Sequence, residues 1–337
     1  MRRIFLGVLA CISLFTISAN GQVKIYTEDI SNFYIAFDSI QTTIDTVTQK
    51  KYLDIYYFDK ASDGLKKFIE KDIDMNNERL SSTSLLRNII KNKDLYIKKR
   101  YWITNTIESR KNIIEKKLGR YKRLYPEFRD GNIIFVVGRE IIGGNVSGSN
   151  LLIGAELMAS ENKEWAVPIV LHEYTHRQQW LFRNIDSIFS KQPVQLTQIL
   201  AQSIWEGNAD FMAELVYSKP LEKFYPNHYN EFGYKHEKEI WDKFKQEMFS
   251  KLTDNKGWFG TEKDFNGKKI KDIGYFMGSQ ICKSYYKNAK DKKKAISDMI
   301  NLKLDSDEVA FQFLADSGYA SKEEIIILSE KFKESKK

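Results

Sequence analysis

The sequence predicts an α+β fold that is mainly helical, with a small sheet between two helical regions. Apolar residues recur at helical spacing from Thr27 to about Tyr125. Two short segments rich in branched aliphatic residues follow, at residues 132–138 and 151–154, and each has the length of a strand. Helical spacing returns after Val167. No Gly/Ser-rich or Pro-rich linker separates these parts, so we expect the N-terminal helices to pack directly on the rest of the chain.

Residues 1–21 have the three parts of a secretory signal peptide. A basic start precedes an apolar run over residues 4–17, and small residues at 19–21 end before Gln22. The apolar run is too short to span a bilayer. We therefore expect cleavage before Gln22 and an exported chain, periplasmic or extracellular, with no transmembrane segment after cleavage. An alternative is lipoprotein processing at Cys11, which would leave the end of the apolar run on the mature chain.

Residues 22–126 are predicted to be a helical N-terminal region. Its helices are marked by apolar residues three or four positions apart, and Pro126 ends the last of them. The positions that carry this spacing are Phe33, Phe37, Ile40, Leu65, Phe68, Ile69, Leu85, Ile89, Ile90 and the long stretch from Leu95 to Leu124.

The amino-acid composition excludes some kinds of binding site and binding partner. Only Cys282 remains after signal removal, which excludes an intramolecular disulfide and a cysteine-ligated metal site in the mature chain. Its helical context predicts a small buried residue. The formal charge of +8 falls to +6 when Arg2 and Arg3 leave with the signal. Basic residues lie mostly on helical patterns or near helix ends, so we expect solvated faces and no nucleic-acid partner.

The strands are separated by a glycine-rich segment. Residues 132–138 predict the first strand and residues 151–154 the second. Gly143 to Gly148 reads Gly-Gly-Asn-Val-Ser-Gly, which predicts a loop between them. Because Pro168 is tolerated only in the first turn of a helix, the next helix should begin near Val167.

One motif stands out in the second helical region, His172-Glu173-x-x-His176. The i and i+4 spacing puts both imidazoles on one helix face, where they can bind one metal ion. Glu173 is rotated roughly 100° around the helix from His172, too far to complete the ligand set. It is well placed to take a proton from a metal-bound water. The motif therefore predicts a catalytic zinc site with Glu173 as general base.

A catalytic zinc site requires a third protein ligand. A metzincin would supply a nearby glycine and histidine at positions where this chain has Gln179 and Phe182, so that class is excluded. Downstream, Glu206 and Asp210 lie four residues apart in a segment with helical spacing. In that arrangement the first carboxylate can be the third ligand. The second can accept a hydrogen bond from the outer nitrogen of a ligating histidine.

The two motifs together resemble the gluzincins, the thermolysin-like clan of zinc peptidases. The Trp-Glu-Gly-x-Ala-Asp form around Glu206, with the helical region before it, is more closely similar to a bacterial family of predicted zinc-dependent proteases, formerly a domain of unknown function. The resemblance runs from about Asp29 to Tyr285 and is strongest at the two motifs. It implies a gluzincin-like core with a small sheet, on which the helical N-terminal region packs.

The resemblance also implies a role for each motif residue. His172, His176 and Glu206 would bind Zn²⁺, Glu173 would be the base, and Asp210 would orient a ligating histidine. One departure concerns the 29 residues between His176 and Glu206, which are more than thermolysin-type enzymes have. The family therefore offers no guide to that connection.

Three further assignments stay open at this point. In gluzincins an edge strand faces the cleft and pairs with an extended peptide, and the resemblance makes Leu151 to Ala155 that edge. An ordinary core strand is the alternative. Glu156 is a candidate anchor for a substrate amino terminus, as in aminopeptidases of the clan, with an exposed residue as the default. Glu214 is a weaker candidate ligand, and a charged outer face explains it better.

Hydrolysis of a peptide also requires a donor to the oxyanion. Tyr275 is the favoured candidate, because Gly274 and Gly278 flank it and allow close backbone approach. A similar Gly-Tyr segment follows the Glu motif in the resembled family. His228 and His236 are the alternatives, each with a surface histidine as its default interpretation.

We therefore expect an exported zinc-dependent metallopeptidase that acts on a peptide or protein substrate, with residues 127–337 as its catalytic region. The alternative function is a non-hydrolytic envelope protein, such as a motility or surface-assembly component, that retains the zinc site for structure. The intact Glu173 favours the peptidase, because a structural zinc site needs ligands and no base.

Overall fold

The computed structural model describes residues 23–182, 196–224 and 228–336. The predicted signal peptide and Cys11 lie outside these residues. Helices make up most of the described chain, beside a four-stranded mixed sheet and a two-stranded sheet, so the mainly helical α+β prediction is confirmed. No helix in the described ranges combines the length and apolarity that crossing a membrane requires.

The N-terminal region is helical, as its apolar spacing predicted. Ser62 caps the third helix by accepting a hydrogen bond from the Leu65 N–H, and Tyr125 turns extended before Pro126, where the last helix ends. Two π-helical turns interrupt the series, at Asp54–Phe58 and Trp102–Thr106. The helices are α1 Glu28–Ile40, α2 Thr46–Leu53, α3 Asp63–Lys71, α4 Ser82–Lys91, α5 Lys93–Tyr101 and α6 Ile107–Leu124.

The larger sheet has the strand order β1-β2-β4-β3. Its strands are β1 Ile25–Tyr26, β2 Ile133–Val136, β3 Gly144–Ser147 and β4 Asn150–Gly154. β2 pairs in parallel with both β1 and β4, and β3 pairs antiparallel with β4. Both strands predicted from β-branched runs are therefore present.

Two predictions about this sheet are wrong. Gly143 to Gly148, predicted as a loop, contains β3, and β4 therefore lies between two neighbours instead of at the edge assigned to Leu151–Ala155. Only Val146 among the four residues of β3 is buried, so the segment lacks the apolar alternation that marks a strand. Pairing with β4 across a two-residue turn stabilises it instead.

The N-terminal region packs directly on the sheet. The Tyr57 hydroxyl donates to the Val137 carbonyl at 2.6 Å, and the Tyr96 hydroxyl donates to the Gly138 carbonyl at 2.9 Å. In α3, Gly64 lies so close to Ile134 of β2 that a Cβ would overlap its side chain. One cluster of buried apolar residues runs through both regions, which is what the missing linker predicted.

The remaining elements follow β4. The motif helix begins at Ala166, near the predicted start, and the helix that carries Glu206 begins at Ile199. Short 3-10 turns lie at Leu221–Lys223 and Leu252–Asp254. The elements are α7 Ala155–Met158, α8 Ala166–Phe182, α9 Ile199–Tyr217, α10 Tyr229–Glu247, β5 Glu262–Phe265, β6 Lys268–Lys271, α11 Ile273–Asn288, α12 Lys292–Ile300, α13 Asp307–Ser317 and α14 Lys322–Ser335.

Glycines bring α9 and α11 into backbone contact. A Cβ on Gly207 would overlap the backbone of Gly278, and one on Gly278 would overlap the Ser203 carbonyl. This is the close approach expected around Tyr275, and it positions the start of α11 beside the helix that carries Glu206. Cys282 on α11 is fully buried, as predicted.

Candidate metal centre

Two helices bring together three side chains that could bind a metal ion. α8 carries His172 and His176 one turn apart, and α9 carries Glu206. The two Nε2 atoms lie 3.1 Å apart. Glu206 Oε2 lies 2.9 Å from Nε2 of His176 and 3.7 Å from Nε2 of His172. The structure thus places the three residues predicted as ligands in one cluster.

The spacing of these three atoms fits a zinc ion. A triangle with these sides has a circumscribed radius of about 1.9 Å, so a point roughly 2.0–2.1 Å from all three atoms exists just outside their plane. That separation is the usual zinc–ligand distance. Two imidazoles and one carboxylate are also a donor set that zinc accepts.

Hydrogen bonds at the back of each imidazole turn both Nε2 lone pairs toward the cluster. His172 Nδ1 lies 2.8 Å from Asp210 Oδ1, and a carboxylate only accepts, so Nδ1 carries the proton. His176 Nδ1 lies 2.8 Å from Gln179 Oε1, whose amide nitrogen donates to the Trp205 carbonyl. When neither Nε2 carries a proton, three acceptor atoms face one another, and a cation, either a proton or a metal ion, relieves the repulsion among them.

Two further residues hold the carboxylates. The buried Tyr229 hydroxyl donates to Asp210 Oδ2 at 2.7 Å. Gln202 donates from Nε2 to Glu206 Oε1 at 2.9 Å, which leaves Oε2 directed at the histidines. In each carboxylate, one oxygen accepts a hydrogen bond that holds the group in place, and the other oxygen contacts a histidine of the cluster.

The carboxylates favour positive charge at the centre of the cluster. Burial would lower the pKa of His172, but its hydrogen bonds to Asp210 and Glu206 outweigh burial and raise that pKa well above the usual value. Burial would raise the pKa of Glu206, but the charge of His176 and hydrogen bonds to both imidazoles lower it. A stabilised positive charge is the condition that a bound metal cation requires.

We expect Asp210→Asn to weaken zinc affinity by roughly 10- to 100-fold, because it removes the charge that orients His172 and raises its basicity. Glu214→Gln is the matched control. It removes the same charge one turn further along α9, where Glu214 accepts hydrogen bonds from Tyr234 and Lys283. Competition with a chelator measures both affinities. Equal affinity in the two variants would contradict the role assigned to Asp210.

Glu173 lies between the cluster and the edge of the sheet. Its carboxylate rests against Gly144 of β3, so closely that a Cβ on Gly144 would overlap it. Residue 144 therefore has to be glycine for the carboxylate to keep this position. The geometry places Glu173 beside the three candidate ligands and outside the triangle that they form.

The three candidate oxyanion donors lie in different surroundings. The Tyr275 ring stacks on His172 with centroids 6.1 Å apart, and its hydroxyl makes no hydrogen bond to another described residue. Burial raises the pKa of Tyr275, and nearby carboxylates, among them Glu206 and Glu173, raise it further, so the hydroxyl stays a donor. His236 has 43% of its side chain exposed and contacts Glu239 on α10, away from the cluster.

His228 is not a surface histidine. Burial lowers its pKa to about 4, and the nearby charges of Asp210 and His172 also act on it. Its imidazole is therefore neutral at neutral pH. Tyr275 and His228 both remain beside the cluster as candidate donors, and His236 does not.

Two further candidates have other partners. Glu156 is 1% exposed, which corrects the expectation of an exposed residue, and it accepts a hydrogen bond from the Glu140 N–H at 3.1 Å. Burial raises its pKa to about 7, although hydrogen bonds from the backbone lower it. A substrate amino terminus has no access to so buried a carboxylate. Glu214 pairs with Lys283 at 3.0 Å, but only 18% of its side chain is exposed, so it forms a half-buried ion pair and does not lie on an exposed charged face.

Sequence reasoning missed four residues of this site. Gln179 follows His176 by three positions and Gln202 precedes Glu206 by four, so helical spacing alone contained the signal for both. Tyr229 and Gly144 reach the site from other elements, and no local pattern marks them. No protein-family model, curated protein or solved structure matches this chain. The resemblance to gluzincins therefore stays a prediction from the sequence.

Proposed function

We propose that this chain is an exported zinc-dependent peptidase. One observation carries the proposal. Three possible ligand atoms, from His172, His176 and Glu206, converge beside the carboxylate of Glu173, which is not one of the three. A structural zinc site needs a fourth protein ligand and no base. The predicted signal peptide over residues 1–21 supports export.

His172, His176 and Glu206 would hold the zinc ion, and Asp210 and Gln179 would orient the two imidazoles. When bound, zinc supplies Lewis acidity, which polarises a carbonyl and lowers the pKa of water. With three protein ligands, one coordination position is left for water or substrate.

Glu173 would act as general base and then as general acid. It takes a proton from the attacking water and passes that proton to the amine that leaves. Glycine at position 144 leaves room for this carboxylate, because a Cβ there would overlap it.

The edge strand β3 offers a pairing site for an extended substrate. Gly154 N–H donates to the Gly143 carbonyl, and in an antiparallel pair such hydrogen-bonded residues alternate with residues whose groups point away. Gly144 and Val146 therefore direct their N–H and C=O groups outward, and the Val146 carbonyl accepts a hydrogen bond from Lys71 Nζ. A peptide that pairs at Gly144 would bring its backbone beside Glu173. This edge replaces the one assigned to Leu151–Ala155.

We expect Tyr275→Phe to leave zinc in place and to lower turnover by on the order of 10²-fold, the usual cost of removing one oxyanion donor. Tyr285→Phe is the matched control, since it removes a hydroxyl from the same helix, where Tyr285 bonds to Asp298. Steady-state kinetics with zinc analysis separates the effects. If Tyr275→Phe turns over at the parental rate and His228→Ala is inactive at full zinc occupancy, the donor is His228.

The proposed function is tested with the purified mature chain, loaded with zinc and incubated with a diverse peptide library. We expect cleavage that a chelator abolishes and added zinc restores. Mass spectrometry of the products identifies the bonds cut. A zinc-loaded chain that cleaves no peptide would refute the proposal and favour a non-hydrolytic envelope protein that retains the metal.

A further inference from the structure

Residues of α6, α9, α11 and α12 line a cavity of about 600 Å³, and none of these residues belongs to the metal cluster. The volume is within the range of sites for small molecules. Phe211 and Leu215, four residues apart on α9, and Tyr286 on α11 form the apolar part of the lining. The ring centroids of Phe211 and Tyr286 lie 5.3 Å apart. The cavity therefore offers an apolar surface that is already packed into shape.

Positive charge surrounds this apolar surface. Five cations line the cavity, but only one carboxylate does, that of Glu214. Glu214 neutralises Lys283, with which it pairs at 3.0 Å. The other four cations have no carboxylate to pair with among the residues that line the cavity: Arg120, Lys219, Lys287 and Lys292.

These four cations differ in how far they are already engaged. Lys292 Nζ donates to three backbone carbonyl groups at the C-terminal end of α11. Arg120 on α6 is half-buried, and its guanidinium forms no hydrogen bond or ion pair with any other residue that the structure describes. A guanidinium presents planar N–H donors that match a carboxylate or a phosphate. Arg120 is therefore the side chain best suited to bind an anion in this cavity.

The cations near the cavity repel one another. Burial lowers the pKa of Lys117, and the charges of Arg120, Lys116 and Lys219 lower it further. A neighbouring positive charge has this effect because it disfavours the ammonium form of a lysine. An anion in the cavity would relieve the repulsion, so charge complementarity favours an anionic occupant.

We propose that this cavity binds a small amphiphilic anion, in which an apolar body ends in a carboxylate or a phosphate group. The apolar body would lie against Phe211, Leu215 and Tyr286, and the anionic group would bind Arg120. The site shares no residue with the metal cluster. The proposal therefore stands or falls independently of the peptidase function.

The test uses the purified mature chain and the fluorescent probe anilinonaphthalene sulfonate, which joins apolar rings to one anionic group. We expect the probe to bind, and Arg120→Gln to weaken its binding by roughly 10-fold, the size of a hydrogen bond to a charged group. Arg123→Gln is the matched control, since it removes an exposed arginine from the same helix that does not line the cavity. This control should bind the probe as the parent does. Thermal unfolding checks that both variants fold as the parent does.

A second measurement needs no substitution in the protein. Phenylnaphthylamine has the rings of the probe without the anionic group, and we expect it to bind the parent at least 10-fold more weakly. Alkyl carboxylates and alkyl phosphates of increasing length then compete with the probe. Each added CH₂ should raise their affinity by roughly 3- to 4-fold while the chain fits the cavity. The series that competes more strongly identifies the anionic group.

Four results would overturn the proposal. Equal binding of the probe to Arg120→Gln and the parent would remove the anion-binding residue. An equal loss in Arg123→Gln would make general surface charge the cause. Binding of phenylnaphthylamine as tight as that of the sulfonate would show that charge does not select the ligand. Displacement of the probe by inorganic phosphate as effective as displacement by the alkyl anions would show that the apolar surface contributes nothing.

Discussion

Glu173→Gln is expected to hold zinc and fold as the parent does, and to lose hydrolysis by on the order of 10²- to 10⁴-fold. The amide has the shape of the carboxylate but does not accept the proton of the attacking water. Glu173 lies outside the set of candidate ligand atoms, so the substitution leaves those atoms unchanged. Zinc analysis, thermal unfolding and cleavage of a responsive peptide measure the three properties separately.

A second substitution, on strand β3, displaces the same Glu173 carboxylate. Gly144→Ala puts a methyl group where the Glu173 carboxylate lies. The carboxylate is the flexible end of its side chain, so we expect it to move aside at little cost in stability and to lose its alignment as a base. Parental turnover in Glu173→Gln would refute the proton-transfer role.

Loss of the metal from ligand variants is the other large effect expected. The purified mature chain should hold about one zinc ion, and His172→Ala or Glu206→Ala should release it, because each residue would supply one of only three protein ligands. The matched control is His236→Ala, which removes an exposed histidine that contacts Glu239 instead of the cluster. Elemental analysis gives the zinc content directly.

Thermal unfolding distinguishes a lost ligand from a lost fold. Zinc that binds only the folded chain stabilises it, so the parent should unfold at a lower temperature after chelation. The two ligand variants should resemble the chelated parent and should not respond to added zinc. Full zinc content in both variants would contradict the assigned ligand set.

Local spacing was enough to predict the parts of the site that lie on single helices. His172 and His176 share a face of α8, and Glu206 and Asp210 share a face of α9, because residues four apart lie one above the other. Pro168 correctly marked the start of the motif helix. Helical spacing also places Gln179 near His176 and Gln202 near Glu206. Nothing in the chemistry of a glutamine, however, distinguished these two residues from other polar residues of the helices.

What spacing could not predict depends on pairing between distant segments. β3 has little strand propensity of its own, so neither its existence nor its place at the edge follows from Gly143 to Gly148 alone. The contact of Gly144 with Glu173 and that of Lys71 with Val146 both depend on β3 being a strand. Glu156 was misassigned for the same reason, since the N-terminal helices that bury it are remote in sequence.

The coordination of the bound zinc tests the central claim most directly. A structure of the zinc-loaded chain, or its zinc X-ray absorption spectrum, distinguishes three protein ligands from four. We predict two imidazole nitrogens from His172 and His176, one carboxylate from Glu206, and a water in the remaining position. A fourth ligand supplied by the chain itself, such as His228, would close the site and contradict a hydrolytic role.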